Sequence, residues 1–153
     1  MSGTSITPSA CYRDPAAAAA WLCAAFGFEI VVQIDAPDGA PANCHYEIGR
    51  DQARIAIGGR WADWTAVPDG TVTGWLSVHL PDELGADGLD AHCAHARAAG
   101  AVIDAEPADE FFGARRYRAV DPGGHRWSFQ VQVREVSRAE AEEHLGIEIA
   151  RWE

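Results

Sequence analysis

The feature that most restricts what this chain can fold into is a pattern that occurs twice, 73 residues apart. Asp14 and Gly27 bracket an alanine-rich segment, and Asp87 and Gly100 bracket another of the same length. In the first, Pro15 suits the opening turn of a helix, Ala17, Ala20, Trp21, Ala24 and Ala25 recur at a helical period, and Gly27 suits its end. A second helix is expected from about Asp87 through Leu89, Cys93, Ala96 and Ala99 to Gly100.

An extended run precedes each helix, over residues 5–12 and 73–80. Three runs of strand character follow each one: 28–34, 44–48 and 53–57 after the first, then 102–105, 115–120 and 125–133 after the second. The order is βαβββ written twice, an α+β arrangement of modules 5–59 and 73–133 within a single domain, 1–153. The linker 60–72 follows Gly59 and carries Pro68, Asp69 and Gly70, a loop composition. Residues 81–86 read as a small insertion in the second copy. In the tail, 134–153, Ser137-Arg138-Ala139-Glu140 fits a capping box, so a short helix over 138–145 should stop at Gly146. A four-stranded sheet that buries one face under its helix still has a second face to close. The expected architecture is therefore two curved mixed sheets paired around a cleft, and the cleft is the expected site.

Alternation along each strand then sorts side chains between core and cleft. Leu76, Val78 and Leu80 should meet the helix, which sends Trp75, Ser77 and His79 to the cleft. Trp127, Phe129 and Val131 pack, leaving Arg126, Ser128 and Gln130 on the cleft side. Ile55 and Ile57 pack while Arg54, Ala56 and Gly58 look inward, and in the first strand Thr7, Ser9 and Cys11 are assigned to the cleft. Trp61 and Trp64 follow the fourth strand at the rim, and Phe111, Phe112 and Tyr117 cluster near the last hairpin. Such aromatic side chains can stack on a flat ligand at about 0.5–2 kcal/mol each.

The last hairpin runs from Gly113 to Phe129, with Asp121-Pro122-Gly123-Gly124 as its turn and D-P-G-G-H-x-W-x-F as its signature. With the repeat, it resembles the vicinal oxygen chelate superfamily, which groups glyoxalase I, bleomycin resistance proteins and extradiol dioxygenases, over residues 5–133. That resemblance implies the glyoxalase/bleomycin resistance fold. Metal-dependent members carry His, Gln or Glu at positions that fall here on Thr7, Ala56, Trp75 and Ser128. None is an imidazole or carboxylate, and the neighbours Pro8, Ile55, Ile57, Leu76 and Trp127 supply none either. The resemblance therefore points to the metal-free, bleomycin-resistance-like branch, with no cofactor. A substitute metal site would need His79 with His45 or Glu47. His92 and His95, three apart on the second helix, are expected to straddle a solvated edge, His125 to orient the hairpin turn, and His144 to lie in the tail helix.

The twelve basic residues are all arginine and stand against 23 acids, for a formal charge of −11. That balance repels phosphate backbones, so no nucleic-acid partner is expected. No apolar run approaches the ~20 residues of a membrane span, and the Met1-Ser2-Gly3-Thr4 start lacks the charged and apolar regions of a leader, so the expected location is cytoplasmic, away from membranes. Cys11, Cys23, Cys44 and Cys93 lack C-x-x-C spacing, and Cys23 and Cys93 read as small buried groups. No G-x-S-x-G elbow or phosphate-cradling loop occurs, and no catalytic residue is assigned.

The function these features favour is sequestration of an aromatic, cationic small molecule by a homodimeric antibiotic-resistance protein, with Glu47, Asp109 and Glu110 near the mouth. The alternative is a divergent glyoxalase-like metalloenzyme, a lyase, isomerase or dioxygenase, with His79 as base or ligand and Arg54 or Arg126 holding an anionic substrate.

Overall fold

The computed structural model describes residues 4–68 and 70–152. Met1 to Gly3, Glu153 and the linker's Asp69 lie outside the described residues.

The first copy comprises β1 (Ser9–Cys11), α1 (Pro15–Phe26), β2 (Glu29–Ile34), β3 (His45–Arg50) and β4 (Ala53–Gly58). The second comprises β5 (Trp75–His79), α2 (Gly85–Ala98), β6 (Val102–Asp109), β7 (Ala114–Val120) and β8 (Arg126–Gln132), and α3 (Arg138–Leu145) follows. The two sheets have the same order, β1-β4-β3-β2 and β5-β8-β7-β6. In each, the first strand runs parallel to the last and the remaining pairs are antiparallel, as an α-helical crossover between them requires.

Local chemistry accounts for the helix ends. The Asp14 side chain accepts from the Ala17 N–H at 3.0 Å, Pro15 occupies the first turn, and Gly27 closes α1 at φ 76°. In α3 the Ser137 hydroxyl accepts from the Glu140 N–H, and Gly146 ends the helix at φ 68°.

The second copy departs from the expected boundaries. α2 begins at Gly85, after a 3₁₀ turn over Asp82–Leu84, so Asp87 lies inside the first turn, where its charge suits the helix dipole. β6 runs on to Asp109, past Pro107, because it is the edge of its sheet and a missing N–H there costs no ladder bond.

One core joins both copies. Phe26 at the end of α1 lies against Trp127 and Phe129 of β8, with ring centroids 5.3 and 4.7 Å away, and α1 touches α2 directly. The Tyr12 hydroxyl donates to Asp121 at 2.6 Å, the Trp21 indole donates to the Ala99 carbonyl at 2.8 Å, and His125 Nε2 donates to the Cys11 carbonyl at 2.9 Å. Both helices therefore cover one side of the paired sheets, and the other side is free of helix.

His92 overturns the expectation of a solvated edge. Its Nε2 donates to the Phe26 carbonyl at 3.0 Å and its Nδ1 accepts from the Tyr117 hydroxyl at 2.7 Å, while His95 Nε2 donates to the Ala24 carbonyl at 2.7 Å. The last turn of α1 leaves carbonyls without intrahelical donors, and the second copy supplies imidazoles to satisfy them. All four cysteines are free thiols, with Cys93 buried and Cys23 partly so.

Candidate functional site

The cross-strand registers determine which side chains share the helix-free faces. Trp75 is paired with Arg126, Ser77 with Ser128 and His79 with Gln130 across β5 and β8, and Arg118 and Arg116 of β7 stand opposite Ser128 and Gln130. Partners across a ladder project to the same face, so these residues form one surface. Trp127, Phe129, Val131 and Tyr117 alternate with them into the core. In the first sheet, Ser9 pairs with Ala56, Cys11 with Gly58 and Glu47 with Ala56, with Arg54 two residues before.

The structure draws part of the expected set together. Ser9, Cys11, Trp64, Trp75 and Arg126 line a groove of about 580 Å³ between β1, the 60–74 connection and the β5–β8 edge, joined there by Arg60 and His125. Trp64 is 70% exposed and Trp75 69% exposed, and Trp61 meets Trp64 edge to face with ring centroids 5.1 Å apart. The Trp75 indole N–H donates to Ser77 Oγ at 3.2 Å.

Others lie elsewhere. His79 accepts from Gln130 at 3.3 Å and borders a second groove, of about 510 Å³, with the β3–β4 turn. Arg54 is exposed and lies 3.8 Å from Glu47, and Thr7 is exposed ahead of β1. Phe111 stacks on His144 of α3 at 5.0 Å and Phe112 lies under the Arg116 guanidinium at 5.5 Å, both at the far end of β8 from Arg126. Tyr117 is fully buried between His92 and Phe129, because it alternates with Arg116 and Arg118 and takes the helix side. Phe111, Phe112 and Tyr117 therefore do not join the tryptophans.

The donor chemistry does not fit a resident metal ion. At the positions the family resemblance points to, Ala56 has no donor atom, the Trp75 indole can only donate a hydrogen bond, Thr7 stands outside the strand, and Ser128 offers one neutral hydroxyl. His79 and the His45–Glu47 pair sit on different sheets, and among the described residues no three His, Cys, Asp or Glu side chains come together as ligands. Burial pushes the Cys11 thiol up, and its approach to Arg60 only partly offsets that.

The carboxylates expected to greet a cation are engaged by arginines: Glu47 with Arg54, Asp109 with Arg115 at 2.8 Å, and Glu110 with Arg116 at 2.6 Å. Asp104 lies 2.6 Å from Arg126 and 3.9 Å from Arg118. Arg60, Arg116 and Arg118 were not among the residues expected at the site. Carrying the alternation through β7, as was done for β5 and β8, places Arg116 and Arg118 on the same face.

A profile of the Glyoxalase/Bleomycin resistance protein/Dioxygenase superfamily matches residues 7–129. No curated protein matches the chain. Among solved structures, TioX from Micromonospora sp. ML1 is similar at 24% identity, covering 86% of this chain and 100% of its own, with a TM-score of 0.62. TnmS3, an antibiotic binding protein from Streptomyces sp. CB03234, is 18% identical over 86% of this chain and 99% of its own, with a TM-score of 0.61. A mutant of the fosfomycin resistance protein FosX from Listeria monocytogenes, complexed with Mn(II) and 1S,2S-dihydroxypropylphosphonic acid, is 12% identical over 94% of this chain and 99% of its own, with a TM-score of 0.61. At these identities the likeness is one of fold.

Proposed function

The chain belongs to the Glyoxalase/Bleomycin resistance protein/Dioxygenase superfamily, and we propose that within it this protein binds a planar aromatic small molecule without a metal ion and without transforming it. The observation that carries this reading is the groove in which Trp64 and Trp75 expose their indoles together, Trp75 standing where the family resemblance would place a metal ligand. Stacking on such rings contributes about 0.5–1.5 kcal/mol each beyond the area buried. Ser9, Cys11, Trp61, Trp64, Trp75 and Arg126 form the centre of this site, with Ser77 and Ser128 on the adjoining strands and Thr7, Arg54, His79 and Gln130 around it.

TnmS3 is described as an antibiotic binding protein, and a fused-ring antibiotic is the ligand class proposed here, its capture conferring resistance by sequestration. A second copy of the chain closing the helix-free faces would complete the enclosure of such a ligand, which is the role proposed for a homodimer.

Tryptophan fluorescence of the purified protein, titrated with a panel of planar aromatic antibiotics, tests the proposal. Saturable quenching by at least one fused-ring compound is the expected result, and a flat response across the panel defeats it. Elemental analysis of protein purified without chelator addresses the metal: stoichiometric zinc, nickel or iron would overturn the metal-free reading.

A further inference from the structure

We propose that the face of β7 and β8 beside the groove is an acid-recognising subsite, so that the ligand is an aromatic carboxylate and not the cation that the net charge of the chain suggests. The inference rests on the groove being the ligand site and adds the polarity of what enters it.

The first observation is a hydroxyl with nothing to bond. Ser128 is 2% exposed, and its Oγ has no hydrogen-bond partner. It cannot be a core hydroxyl that turned the wrong way, because its neighbours in the strand, Trp127 and Phe129, occupy the packed face and leave Ser128 on the helix-free one. A buried polar atom without a partner is costly and rare in folded proteins, and on the face that adjoins a candidate groove it marks where a ligand atom can supply the missing bond.

The second, independent observation is the charge around it. Arg118 stands opposite Ser128 in the register, and Arg126 precedes it by two residues on the same face. Between these two guanidiniums stands the single carboxylate of Asp104, which holds Arg126 at 2.6 Å but reaches Arg118 only at 3.9 Å, beyond a hydrogen bond. Each guanidinium carries five N–H donors in a fork that matches a carboxylate, so one aspartate leaves donor capacity on both. Arg116, next along β7, is balanced by Glu110, so among the described residues these three guanidiniums on the face meet two carboxylates, Asp104 and Glu110.

The formal charge of −11 does not contradict this. Charges more than about 8 Å away through solvent are largely screened at physiological ionic strength, so distant acids act on Arg118 and Arg126, each about half exposed, far less than Asp104 does. An aromatic acid would lay its ring on Trp75, whose backbone partner in the ladder is Arg126, and direct its carboxylate toward Arg126, Arg118 and the Ser128 hydroxyl.

Isothermal titration calorimetry with 2-naphthoate, its neutral analogue 2-naphthamide and the planar cation 9-aminoacridine tests the assignment. The acid should bind about tenfold or more tightly than the amide, the advantage expected of a charge-assisted hydrogen bond. Arg126→Met should bring the two within about twofold of each other. Ser128→Ala should reduce the advantage several-fold without lowering Tm, since that hydroxyl has no bond to lose in the free protein. Equal binding of acid and amide, or tighter binding of the cation, overturns the acid assignment and leaves the groove standing as a site for aromatics. A Ser128→Ala protein with a lowered Tm and an unaltered preference assigns that hydroxyl to structure and also overturns its role. Binding of none of the three probes removes the groove itself, and this subsite with it.

Discussion

The Tyr12 hydroxyl donates to Oδ2 of Asp121 at 2.6 Å across 109 residues of sequence. Asp121 is buried, and its two oxygens also accept from the Trp127 indole at 2.9 Å and from the Gly123 and His125 amides at 2.9 and 3.0 Å. One carboxylate thus shapes the last hairpin turn and fastens it to the first copy. Tyr12→Phe removes only the fastening, so it should cost about 2 kcal/mol in urea unfolding with the turn intact. Asp121→Ala strands four donors and should cost more. A Tyr12→Phe protein as stable as the wild type would show that the seam does not depend on this bond.

The two glycines of the same turn serve different ends. Gly124 adopts φ 86°, whereas a Cβ on Gly123 would meet the Tyr12 ring at 2.5 Å. Gly123→Ala should therefore cost about 1–3 kcal/mol by overpacking. The distinguishing measurement is a double-mutant cycle: removing the ring with Tyr12→Ala should relieve most of the Gly123→Ala cost and none of the Gly124→Ala cost.

Acid should weaken the seam between the copies through His92. Burial is the main reason its pKa falls below the ordinary 6.5, and the nearby charges of Arg50 and His95 act in the same direction, against a backbone bond to Phe26 that opposes them. Because the folded protein holds this proton more weakly than the unfolded chain, the contribution of His92 is present in full above pH 6.5 and is lost as pH falls below it. Thermal melts between pH 5 and 8 should show a steeper decline in Tm on acidification for the wild type than for His92→Gln. Equal slopes would remove His92 as the cause.

Trp75 and Trp127 are separated by one β-ladder, and their substitutions should behave oppositely. Trp75 is exposed, so Trp75→Ala should leave the urea midpoint nearly unchanged and weaken binding of a fused-ring ligand by about tenfold. Trp127 is 2% exposed, donates to Asp121 and packs on Phe26 and Phe28. Trp127→Ala should cost about 3–5 kcal/mol. Loss of binding without loss of stability in the first variant is the signature of a ligand contact.

What could be read from the chain beforehand was whatever depends on neighbours in sequence. Asp14, Pro15 and Gly27 mark α1 because caps are local, and alternation along β5 and β8 separates Trp127 and Phe129 from Arg126 and Ser128 because a strand has a period of two. Reading Phe111, Phe112 and Tyr117 as one aromatic cluster failed at Tyr117, where closeness in sequence was allowed to override that period. His92 could not be placed, since its partners are a carbonyl 66 residues away and the Tyr117 hydroxyl on β7. Net charge sums over the surface and does not locate Arg118 and Arg126, which come onto one face only through the register of β7 and β8.

The long-range bonds along the seam also order events as the chain is made. Each copy pairs its own strands over short stretches, but Phe26 finds Trp127 and Phe129, and Cys11 finds His125, only after the final hairpin exists, 114 residues downstream in the latter case. A half-synthesised chain can hold a formed first sheet and helix yet must keep Phe26 uncovered until the last strand arrives. Docking of the two copies is thus a late, high-contact-order step, and the interval before it is when this protein is most exposed to association with its neighbours.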